Sequence, residues 1–123
     1  MYRIGYQQYK MQSVNTMTSG EMLLLLFDEL IKRLGKAQIA LVDKNYDVFN
    51  ESVTRSREIV QYLNETLNMN YQISFELRRM YQFFLYELGR LQAGRRTAVI
   101  QELKPLVTEL RDAFREASKT AAM

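Results

Sequence analysis

Thr16-Met17-Thr18-Ser19-Gly20-Glu21-Met22-Leu23-Leu24-Leu25-Leu26-Phe27-Asp28 decides the fold class. Thr18 is suited to cap a helix, because its hydroxyl can accept from a backbone N–H one turn on. Glu21 follows three residues later and can reach back to the Thr18 N–H, which completes a capping box. Met22 to Phe27 is an unbroken apolar run, wider than one helix face, so this helix should be buried on most sides. The plain reading is the central core helix of a bundle. The sharper one makes part of the run a docking face for a partner.

Outward from that start, four helices follow. The first is predicted from Ser19 to Val42, with Leu23, Phe27, Leu30, Leu34, Ala37 and Leu41 in alternating steps of four and three. Leu24 and Ile31 form a shorter second stripe. Asp43-Lys44-Asn45 is the turn, with Asn45 as the next cap. The second helix runs from Tyr46 to Leu67 on Phe49, Val53, Ser56, Val60, Leu63 and Leu67. The third, Ile73 to Gln92, turns inward Ile73, Leu77, Met80, Phe84, Leu88 and Leu91, and Gly94 suits its C-terminus. The fourth, Thr97 to Ser118, uses Val99, Leu103, Leu106, Leu110, Ala113 and Ala117, with Phe114 beside them. Pro105 should bend it. The expected fold is all-α: an antiparallel up-down-up-down four-helix bundle with an N-terminal polar-aromatic tail. The tail covers residues 1–18, the bundle 19–118, and 119–123 read as a frayed end.

Composition narrows the chemistry. The 123 residues suit one domain with a real core. There is no cysteine and no histidine, which removes disulfides, thiolate sites, imidazole ligands and imidazole acid–base catalysis. No catalytic set, metal site or cofactor is expected. Ferritin-like di-iron bundles need Glu-x-x-His pairs that this chain cannot make, and the five glycines are too scattered to cradle a phosphate. Asp28 and Glu29 point to different sides of their helix and are placed to pair with Lys32 and Arg33. No apolar stretch nears the roughly 18 residues that span a bilayer, so no membrane insertion is expected. There is no signal-peptide pattern, and an intracellular, cytoplasmic protein is expected.

Two constellations carry functional weight. Arg78, Arg79, Arg90, Arg95 and Arg96 make a cationic set, but a net charge of +3 is small. Those arginines span several helix faces beside Glu76 and Glu87, which reads as a solvated surface. The third helix is more telling. Between Met80 and Leu88 only Gln82 and Glu87 are polar, whereas a bundle helix needs roughly three or four apolar positions in seven. The excess aromatics make either a wide core stripe with tyrosines reaching water or a groove for a partner's apolar anchors. On the groove reading, the partner-binding residues are Ile59, Tyr62, Leu63, Tyr81, Phe83 and Tyr86. The tail adds Tyr6, Tyr9, Met11 and Val14, too apolar to be left in water and unable to join the first helix's stripe. They are expected to regulate by plugging the groove until a partner displaces them.

Several segments together resemble a known pattern. Tyr6-Gln7-Gln8-Tyr9, Val14-Asn15-Thr16, Glu21-Met22 and Leu26-Phe27-Asp28 follow in order. They are joined by Ile59-Val60-Gln61-Tyr62-Leu63-Asn64, Leu67-Asn68 and Leu110-Arg111-Asp112-Ala113-Phe114. This series, over about Tyr6 to Ala117, resembles the flagellin-specific export chaperones, the FliS family. Ser19 stands where that family has Pro, Glu29 where it has Gly, and Phe114 where it has Trp. Asn70-Tyr71-Gln72 replaces its Gly-Gly-Glu connection. The resemblance implies a four-helix bundle that binds the disordered C-terminal segment of flagellin and keeps it unpolymerised. It also implies delivery to the flagellar type III export gate, without cofactor or catalysis. Weak homodimerisation is left open. The rival expectation is a basic helical nucleic-acid-binding or adaptor protein. The chain's excess is aromatic rather than cationic, so no nucleic-acid partner is expected.

Overall fold

The structure, a computed structural model, describes the backbone of residues 19–122 and the side chains of residues 20–117. The expected tail, with its cap at Thr18 and with Tyr6, Tyr9, Met11 and Val14, lies outside the described residues. Four helices follow: α1 Ser19–Val42, α2 Tyr46–Glu65, α3 Ile73–Gly94 and α4 Thr97–Ala122. α2 stops two residues before the expected Leu67, and α3 runs two beyond the expected Gln92. α4 continues past the expected Ser118 to Ala122. Each helix packs on its neighbours in a ring: α1 on α2 and α4, α3 on α2 and α4.

The connections force the direction of each helix. The longest joins Glu65 to Ile73 across residues 66–72. Seven extended residues span at most about 25 Å, less than the roughly 30 Å length of a 20-residue helix. A parallel return is out of reach, so consecutive neighbours run antiparallel.

Asn45 closes one helix and starts the next. Its N–H donates to the Ala40 carbonyl at 2.8 Å while the Lys44 N–H donates to Leu41 at 3.2 Å. That is a Schellman ending, with Lys44 in the left-handed region at φ 58°. The Asn45 side chain then accepts from the Val48 N–H at 3.3 Å and caps α2 as expected. At the end of α3 the left-handed residue is Arg95, φ 52°, not the expected Gly94. The Arg95 N–H donates to the Leu91 carbonyl at 2.8 Å. Its guanidinium lies 4.0 Å from the centre of the Tyr46 ring. A cation–π contact of this kind offsets part of the strain of a left-handed non-glycine residue.

The core contains Phe27, Leu30, Leu34, Ala37 and Ala40 of α1, and Phe49, Val53, Val60 and Leu63 of α2. The four–three rhythm held for these two helices. Ser52 and Ser56 are buried as well, and the Ser56 hydroxyl donates to the Ser52 carbonyl at 2.9 Å. The expectation that the apolar run would bury α1 on most sides is corrected, since Leu25 is 55% exposed. On α3, Ile73 faces solvent and Tyr81 takes a place in the core. On α4 the buried set is Val99, Ile100, Leu103 and Val107, whereas Leu106, Ala113 and Ala117 are exposed. The expected stripe was turned by one position after Leu103. Ile100–Leu103–Val107–Leu110–Phe114 has the same spacing, and Phe114 decides between them. Its ring stacks on Phe27, centroids 5.5 Å apart.

That stack is half of a seam between the first and last helices. Arg111 on α4 donates to the Asp28 carboxylate at 3.0 Å and also to its neighbour Asp112 at 3.0 Å. The expected Asp28–Lys32 pair is therefore replaced by a bridge between helices. Glu29 and Arg33 do pair, at 2.8 Å. The Leu26-Phe27-Asp28 and Leu110-to-Phe114 segments, far apart in sequence, meet side by side. α4 remains one helix through Pro105.

Candidate functional site

At the end of the bundle where α1 starts, α2 stops and α3 begins, the three helices leave a concavity of about 490 Å³. The connection after α2 forms its rim, and Asn68 organises that connection. The Asn68 carbonyl accepts from the Ser74 hydroxyl at 2.6 Å, and its side-chain oxygen accepts from the Asn70 N–H at 3.0 Å. The Thr66 hydroxyl donates to the Tyr62 carbonyl at 2.8 Å and finishes α2. Backbone and side-chain groups of the rim thus satisfy one another. What faces the opening is mostly apolar: Met22, Leu23 and Leu26 from α1, with Leu67 and Tyr71 opposite.

The expected client-binding residues divide into three groups. Tyr62, Leu63 and Tyr81 all line this concavity. Tyr62, 47% exposed, stands at its mouth, while Leu63 at 2% and Tyr81 at 0% belong to the core beneath it. Leu63 belongs to the inward stripe expected of its helix, and Tyr81 also falls on the inner side of its own. Ile59 is half-buried and, with Tyr62, lines a neighbouring groove between α1 and α2. That groove is charged, containing Glu29, Arg33, Arg55 and Glu58, of which Arg55 and Glu58 pair at 3.1 Å. Phe83 and Tyr86, 46% and 65% exposed, stand on the outer surface of α3 and line neither hollow. The Phe83 ring still touches Phe84 in the core, centroids 6.3 Å apart.

The docking-face reading of the α1 run agrees with Met22, Leu23 and Leu26 lining the concavity, although none of the three was named as a client-binding residue, and the aromatic rim at Tyr71 was missed. The signal for the α1 contribution was present: an apolar run too wide for one face leaves some of it for another surface. Exposed Ile73 and Phe75 extend the apolar area along the start of α3.

Tyr81 is the chemically unusual member. Its ring lies 6.4 Å from both Phe27 and Phe84, and its hydroxyl is buried without a hydrogen-bond partner among the described residues. Burial pushes its pKa up to about 12, so it is a neutral phenol at any ordinary pH. The cationic side chains offer no comparable centre. Arg90 donates to Glu87 at 3.0 Å, Arg95 rests on Tyr46, and Arg57 on α2 donates to Gln92 on α3 at 2.8 Å. Among the described residues no group of three or more carboxylates converges as a metal site would require. No helix among them is long and apolar enough to cross a membrane.

Comparison with known proteins agrees with this geometry. Residues 1–121 match the family model of flagellar protein FliS. The flagellar secretion chaperone FliS of Bacillus subtilis (strain 168) is 32% identical over 112 residues, covering 91% of this chain and 84% of that one. A solved bacterial flagellar chaperone shares the fold with a TM-score of 0.81. It is 16% identical, and the match covers 98% of this chain and 99% of that one. The wide apolar run, the ordered motifs and the bundle that joins them are those of a flagellar secretion chaperone, and the chain belongs to the FliS family.

Proposed function

We propose that the chain is a cytoplasmic export chaperone whose client is the disordered C-terminal segment of flagellin, and that the concavity between α1, α2 and α3 receives part of it. One observation carries this reading: a largely apolar hollow with exposed Tyr62 and Tyr71 at its edge. A soluble bundle seldom leaves such a patch open without a use. A disordered segment loses chain entropy when it binds, so it needs a long apolar track rather than a single pocket. Exposed Phe83 and Tyr86, on the outer surface of α3, offer a separate apolar contact for the same segment. Binding there keeps flagellin from polymerising and presents it to the flagellar type III export gate. No cofactor or catalytic step is involved. The tail residues Tyr6, Tyr9, Met11 and Val14 compete for the same hollow. α1 begins at its mouth, which gives a tethered segment a high effective concentration there.

Co-expression with a flagellin C-terminal fragment, followed by size-exclusion chromatography, tests the reading. Co-elution that persists in high salt is expected, since apolar contact is little screened whereas phosphate contacts weaken steeply. Tyr62→Asp should abolish co-elution while leaving the helical circular dichroism intact. Separate elution of the wild-type chain and fragment would refute the proposal.

A further inference from the structure

Among the described residues two buried side-chain polar atoms have no hydrogen-bond partner, Asn64 Oδ1 and the Tyr81 hydroxyl, and of the two residues only Tyr81 lines the concavity. The hydroxyls of Thr66 and Ser74 donate to backbone carbonyls. Tyr62 and Tyr71 are exposed enough for water to serve their hydroxyls. Tyr81 has neither solution. It lines the concavity, is 0% exposed, and its hydroxyl has no partner. A buried donor without an acceptor is costly, and phenylalanine would fill the same space without that cost. Phe27 and Phe84, which flank it, show that this core accepts phenyl rings. The cost is recovered if the acceptor arrives with a ligand.

We propose that the Tyr81 hydroxyl donates to a hydrogen-bond acceptor on the bound client segment, which makes Tyr81 a specificity-determining residue at the floor of the concavity. This rests on the flagellin-segment reading above and adds to it what the client must offer. The segment carries an apolar anchor with a carbonyl, amide or hydroxyl oxygen beside it. Purely aliphatic segments fill the hollow but leave the phenol unpaired. Access is through α1. Met22 and Leu26 are only half-buried walls of the hollow, and a methionine side chain re-packs readily by rotation about its three bonds.

Tyr81→Phe tests the proposal in the full-length chain, with a flagellin C-terminal fragment as probe. The free variant should unfold at the same denaturant concentration as wild type or a higher one, because an unpaired buried group has gone. By calorimetry it should bind the fragment about tenfold more weakly, the effect of one buried hydrogen bond. Tyr71→Phe, whose hydroxyl is in water, should bind within about twofold of wild type on the same argument. Unchanged binding by Tyr81→Phe beside normal wild-type binding overturns this proposal alone. A lowered unfolding midpoint also overturns it, by showing that the hydroxyl already has a partner within the chain. Absence of binding by the wild-type chain overturns the client reading and this inference together.

Discussion

At the scale of single residues, two positions separate what a sequence shows from what packing decides. Asn45 was legible: an Asn after a charged turn and before an apolar stripe is a cap, and it became one. Asn45→Ala should cost about 1 kcal/mol, measured as a lower urea midpoint at unchanged slope. Tyr81 was not legible as core, because a tyrosine usually keeps its hydroxyl wet. Here the four–three stripe through Leu77 and Phe84 is wide enough to include it. Its folded pKa, about 12, lies above the ordinary tyrosine value of 10.0. Its contribution to stability is therefore complete below pH 10 and is lost as pH climbs through 12. Between those values the unfolded chain gives up a proton that the folded chain keeps. The loss should be on the order of 2 kcal/mol. Urea midpoints measured from pH 9 to 12 should fall in wild type and fall less in Tyr81→Phe; parallel curves would contradict the assignment.

Among elements, α1, α2 and α3 were placed nearly to the residue by apolar spacing and turn chemistry, whereas α4 kept its bounds at the start and lost its register. The reason is that α4 carries two interleaved apolar sets. Leu103 belongs to both, and spacing alone cannot choose between Leu106 and Val107. The choice is made by Phe27 across the bundle, through its stack on Phe114. Phe114→Ala should then cost about 2 kcal/mol, below the usual range for a fully buried ring because Phe114 is half-exposed. Leu106→Ala should cost well under that. Chemical denaturation of the two variants side by side gives the comparison, and a larger loss at Leu106 would restore the original register. The solvent side of α1 is the complementary case. Leu25 is exposed, so an uninterrupted leucine run marks abundance of apolar surface but not its direction.

For the whole molecule, four stripes joined by short connections were enough to specify the bundle, but the concavity was not. Its walls come from residues 22–26, 62–68 and 71–81, which only the antiparallel return of the chain brings together. The proposed plug works at this scale too. Deleting Met1 to Ser13 should tighten binding of a short flagellin C-terminal peptide and raise self-association of the free chain. Calorimetry and light scattering read the two effects, and weaker peptide binding would instead put the tail in contact with the client. The seam between α1 and α4 sets a timetable for the protein's own birth. Asp28 waits for Arg111 across a separation of 83 residues. At usual rates of synthesis that interval is roughly 4 to 17 s. Through it the side of Phe27 that Phe114 covers stands open, since α4 is made last among the described helices. Until α4 is translated, this flagellar chaperone carries an apolar seam of its own that nothing yet covers. A chain ended at Arg96 should therefore bind a hydrophobic dye and yield quickly to protease; a compact, resistant three-helix fragment would show that the seam is not what completes the fold.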